Sequence, residues 1–109
     1  MAMQNLTLRQ VQEIILETEE DKSLREMYIH KSPCTEDGVG AVFFAVAGKP
    51  PRGYAMFLPD GEDGCVGTLH VFDRLGLKRK ILHCRIDELA SCKDNDVWSP
   101  KAAAPAIEV

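Results

Sequence analysis

Between Val39 and Ile86 four apolar runs alternate with three turn-rich breaks. This pattern predicts an up-and-down antiparallel meander, with the rest of the chain serving as its cover. The first run, Val39 to Ala47, has the unbroken apolar core Ala41-Val42-Phe43-Phe44-Ala45-Val46-Ala47. Such a run predicts a strand buried on both faces, and its shortness and flanking Gly40 and Gly48 favour strand over buried helix. Gly48 to Gly53 is a turn by composition, and Tyr54 to Leu58 is the second strand. Pro59 to Gly64 is the second turn and Cys65 to Phe72 the third strand. Arg74 to Leu77 turns the chain into a fourth strand, Lys80 to Ile86.

The N-terminal third carries helical period instead. Thr7 and Gln10 have the spacing of a capping box, and Leu6 and Val11 that of a hydrophobic staple. Leu8, Val11, Ile15 and Thr18 mark one face, widened by Ile14. Acidic residues from Glu17 to Asp21 oppose the macrodipole and predict a bend or stop there. Ser23 and Glu26 repeat the capping-box spacing, Leu24, Met27 and Tyr28 form a short stripe, and Pro33 ends the segment. The reading is one kinked helix or a helix pair. Asp87 is placed to cap a short last helix through Glu88, Leu89 and Cys92. Periodicity fades from Lys93 onward. Residues 1–98 read as one domain and 99–109 as a flexible tail, with Trp98 either folded against a core edge or presented to a partner.

The expected fold is therefore α+β: N-terminal helical segments on a four-stranded antiparallel sheet, a short helix after strand four, and a loose tail. The helices cover one sheet face only. The other is expected to close by curling into a partial barrel or by meeting a second copy of the chain.

Composition changes this picture little. At 109 residues the chain suits one domain. No apolar run approaches the roughly 20 residues of a bilayer span, and the N-terminus lacks a signal peptide's regions, so a soluble cytoplasmic protein is expected. Cys34, Cys65, Cys84 and Cys92 show no Cys-x-x-Cys spacing and read as reduced thiols.

Charge is more informative. In a meander the first and third turns share one end of the sheet. Lys49, Arg52, Arg74, Lys78, Arg79 and Lys80 then gather at that end, opposite Asp60, Glu62 and Asp63 of the second turn. The basic end is a candidate site for an anionic ligand. A net charge of −4 argues against a general nucleic-acid binder, and the few aromatics near the cations argue against a single-strand stacking platform.

Candidate chemistry is sparse. His83 and Cys84 are strand neighbours and point to opposite faces, so they form no dyad. His30 and Cys34 have helical spacing, but Pro33 removes the helix that would align them. A four-residue third turn sets His70 opposite Ile81 and His83 opposite Thr68, making the histidines diagonal neighbours on one face, about 7–8 Å apart. Two such ligands make a weak metal site. Asp60 to Gly64 lacks the alternating ligands of a calcium loop. No phosphate loop or nucleophile elbow is present. Nothing calls for a cofactor or a metal, and the balance leans away from an enzyme. The expected function is a small binding or adaptor module acting on a protein partner, self-association included. Tyr54, His70, His83 and Trp98 are its candidate pocket or interface residues. The alternatives are a binder of an anionic ligand or nucleic acid using the basic turns, nucleic acid being the less expected of the two, and a small-ligand binder or enzyme with a pocket between helix and sheet.

Overall fold

Leu8–Glu17 is the one α-helix (α1) among the described residues of the computed structural model, which are 3–17, 19, 23–32, 40–60 and 63–100. Among the described residues the sheet has seven strands: β1 (Gln4–Asn5), β2 (Met27–Lys31), β3 (Val42–Val46), β4 (Gly53–Pro59), β5 (Val66–Phe72), β6 (Lys78–Arg85) and β7 (Asp96–Trp98). Their spatial order is β1-β6-β5-β4-β3-β2-β7. A short 3-10 helix, Asp87–Ser91, follows β6. Thr18, Asp21, Pro33, Cys34, Val39, Gly61, Glu62 and the tail from residue 101 lie outside the described residues, and so do the expectations placed on them.

The central meander β3 to β6 is antiparallel, each strand pairing the next. The expected four-stranded antiparallel sheet with a helix pair is nonetheless incorrect. The second helical segment is in large part β2, which pairs antiparallel with β3. Its stripe of Leu24, Met27 and Tyr28 imitates helical spacing, but Met-Tyr-Ile-His-Lys also alternates. Met27 and Ile29 are buried while Tyr28 and His30 are exposed, the period of a half-buried strand. Two further strands complete the sheet. β7 pairs antiparallel with β2, and β1 pairs parallel with β6, which makes the sheet mixed. The sheet is open, with β1 and β7 at its two margins.

α1 starts where the capping box placed it. The Gln10 backbone N–H donates to Thr7 Oγ1 at 3.1 Å and the Thr7 N–H to Gln10 Oε1 at 2.8 Å. A third free amide, that of Leu8, is taken by Glu88 Oε1 at 2.8 Å, which ties the helix start to the 3-10 helix. Asp87 does not cap that 3-10 helix; its carboxylate accepts from Asn5 and Arg85 instead.

α1 lays Leu8, Val11, Ile15 and Leu16 on one sheet face. Phe44 and Val46 of β3, Ala55 and Phe57 of β4, and Leu69 and Val71 of β5 meet them there. Each large side chain so buried contributes about 1.5–3 kcal/mol. Gly53 permits the approach, because a Cβ there would lie 2.6 Å from Ile15 Cγ2. Gln12 is fully buried but satisfied, donating from Nε2 to Arg25 O at 2.7 Å and accepting the Arg25 N–H at 2.6 Å. It holds the link into β2 against the helix.

β3 corrects the expectation of burial on two faces. Val42, Phe44 and Val46 are buried, but Phe43 is 39% exposed and Ala45 half-buried. The run is apolar on both sides, and α1 covers one.

Candidate functional site: the open sheet face

Strand register sets the side chains of the uncovered face in cross-strand rows. One runs Val97, Tyr28, Ala45, Tyr54, Phe72. The next runs His30, Phe43, Met56, His70, Ile81. A shorter third holds Leu58, Thr68 and His83. Tyr28, Phe43, Leu58, Ile81 and Val97 are all exposed, from 38% to 54%. Scattered apolar residues on a surface are ordinary; a contiguous patch across six strands is a mark of interaction surfaces.

The face is not flat. Ala45 lies between Tyr28 and Tyr54 in its row. The small side chain leaves a hollow of about 490 Å³, walled by Tyr28, Phe43, Tyr54, Met56 and Phe72, with Asp96 at its rim. The volume is within the usual range for ligand pockets, and the walls are mostly apolar. This hollow opens on the side away from α1, and a second, of about 320 Å³, lies between Ile14 and Glu17 of α1 and Arg79 and Lys80 of β6.

The three histidines all stand on this face. His30 stacks on Phe43, with ring centroids 6.1 Å apart, and its Nδ1 is 2.9 Å from Asp94 Oδ1. His83 Nε2 is 3.1 Å from Asp60 Oδ2. His70 lies opposite Ile81 and His83 opposite Thr68 as expected, although the third turn has five residues, Asp73 to Leu77, and a bulge between Val71 and Phe72 takes up the difference. His70 Nδ1 is buried with no hydrogen-bond partner among the described residues. Among those residues no group of three or more His, Cys, Asp or Glu side chains is placed to hold a metal. Tyr54 belongs to the hollow; Trp98 is half-buried, pairs with Met27 and packs against the core.

The basic end is differently populated than its turns suggest. The end of α1 arrives there with carboxylates. Arg74 Nε is 3.4 Å from Glu19 Oε1, and Lys80 Nζ is 3.6 Å from Glu17 Oε1. Arg79 Nε donates to Asp73 Oδ2 at 2.9 Å. Lys49 and Lys78 have no acidic partner among the described residues, and Arg52 lies half-buried in the first turn. At the other end Asp63 is 2.9 Å from Arg85. The helix direction that brings Glu17 and Glu19 to the third turn is a tertiary fact, and no local signal carries it.

Asp73 organises the third turn. Its Oδ1 accepts the Leu75 N–H at 2.9 Å and the Leu77 N–H at 3.0 Å. The Leu77 amide above all, then the Leu75 amide and Arg79, holds its carboxyl below the usual carboxylate range against the opposing cost of burial.

No helix of the described residues is long and apolar enough to cross a membrane. Comparison with protein-family models, curated proteins and solved structures gave no match. The class is therefore set by fold and surface alone: a small α+β domain with one sheet face covered and one open.

Proposed function

We propose that this chain is a non-catalytic binding module that docks another protein on its open sheet face. One observation carries the reading: Tyr28, Phe43, Leu58, Ile81 and Val97 stay exposed on one face, with half-buried Ala45, Tyr54, Met56 and Phe72 between them, although the same sheet is well packed on its other side. Burying them returns about 25 cal/mol per Å² of apolar area, and an aromatic-rich centre ringed by polar groups is the usual anatomy of such an interface. The free thiols of Cys65, Cys84 and Cys92 fit a cytoplasmic setting, where thiols stay reduced.

An anionic partner at the basic turns is the weaker reading. It would have to compete with Glu17, Glu19 and Asp73 for Lys80, Arg74 and Arg79.

Site-specific photo-crosslinking in cells tests the proposal. A photoreactive residue at Phe43 or Tyr28 should yield a discrete crosslinked protein species, and one at Gln10 or Glu13 on the exposed side of α1 should not. Equal crosslinking from both sides, or none from the sheet, would remove the reading.

A further inference from the structure

We infer that the occupant of the open face is a second copy of this chain, packed face to face about a two-fold axis that runs along β4. The inference rests on the docking role just proposed and adds the partner and its orientation.

Two closed arrangements of identical sheets are natural: a two-fold axis parallel to the strands or one across them. β4 is the central strand of the seven. An axis along it exchanges the two halves of the sheet and keeps each row in its own plane. β5 of one copy then lies over β3 of the other, and β6 over β2. The register dictates the rest. Phe72 of one copy comes over Ala45 of the other, so the bulky ring meets the hollow left by the smallest side chain in the row. Tyr54 meets Tyr54 and Met56 meets Met56 at the axis. Ile81, 54% exposed alone, comes over His30.

Charge selects the same axis. The β6 margin carries Lys78 and Arg79, the latter already turned toward Asp73. Exchanging the halves puts Lys78 of β6 above the ring of Tyr28 on the other copy's β2, a favourable place for a cation. An axis across the strands would instead keep each strand over its own copy, so that Lys78 would meet β6 and not Tyr28. Size and charge are independent properties of the surface, and they agree. The twist of each sheet rotates the two by about 30° without changing which strands oppose.

The test inverts the size match. Ala45→Trp fills the hollow and Phe72→Ala removes what fills it; both sites face away from the α1 core, and circular dichroism checks that each variant keeps the wild-type fold. In sedimentation velocity the wild-type chain should dimerise, and each variant alone should associate on the order of tenfold more weakly or worse. Mixed together they should form a heterodimer. The introduced tryptophan of one chain then faces the truncated position 72 of the other, and the second Phe72–Ala45 contact is kept as in the wild type. A Tyr54→Cys variant should also oxidise to a disulfide-linked dimer across the axis. A wild-type chain that stays monomeric up to millimolar concentration overturns the inference, as do variants that dimerise like wild type or fail to rescue one another. Should the monomer still crosslink a different protein through Phe43, the docking role stands and only the self-partner is lost.

Discussion

Phe43 and Phe44 are chain neighbours that live in different solvents. Phe44 is 1% exposed beneath α1, and Phe43 is 39% exposed on the opposite face of the same strand. Truncating the first opens a cavity in a packed interior; truncating the second removes a ring from the surface. Phe44→Ala should cost about 3–5 kcal/mol of folding stability, and Phe43→Ser roughly 0.5 kcal/mol or less in the isolated monomer. Urea unfolding at low protein concentration measures both. Equal losses at the two positions would contradict the one-sided core.

Acid should loosen the chain through its turn carboxylates. Asp73, Asp63 and Asp87 are held below the ordinary carboxylate value, chiefly by the Leu77 amide, the Cys65 amide and the Asn5 side chain respectively. Their folded pKa lies under the unfolded one, so their contribution is complete above about pH 4 and is lost as pH falls through the folded values. Asp73→Asn should lower stability at neutral pH and flatten the loss as pH falls below about 4. Urea midpoints measured across that range provide the comparison; an unchanged slope would mean that Asp73 is not one of the titrating groups.

Cys84 should behave as an inert core atom. Burial pushes its thiol up to about 11, so at pH 8 about one molecule in a thousand carries the thiolate. Iodoacetamide should leave Cys84 unmodified in the native chain and label it fast in urea, as peptide mass spectrometry reads directly. Because the folded value is raised, the group's contribution is present below about pH 8.5 and fades as pH rises toward the folded value.

Local signals were legible wherever both partners lay close in sequence. Thr7 and Gln10 form the reciprocal cap their spacing announces. His70 does sit opposite Ile81, but the third turn is one residue longer than the expected four and a bulge between Val71 and Phe72 absorbs the extra residue. What failed was non-local or too short to carry a period. β1 is two polar residues, and it is a strand only because β6 lies beside it. β7 is three residues that complete β2 from far along the chain. Met27–Lys31 fits both periods over five residues, and the sheet decides between them. The site was half legible. The apolar run at residues 41–47 announced two faces wanting cover, and Tyr54, His70 and His83 do lie on the open one. The hollow at Ala45 was hidden, because it arises only when β2 and β4 bring Tyr28 and Tyr54 to either side.

Methyl NMR of the full chain as its concentration is raised tests the central claim most directly. The methyl groups of Ala45, Met56, Leu58 and Ile81 should shift together and saturate, while Leu75 and Leu77, more exposed than any of them in the third turn, should stay fixed. Shifts centred on the third turn or on the outer side of α1, with the sheet methyls unmoved, would contradict it.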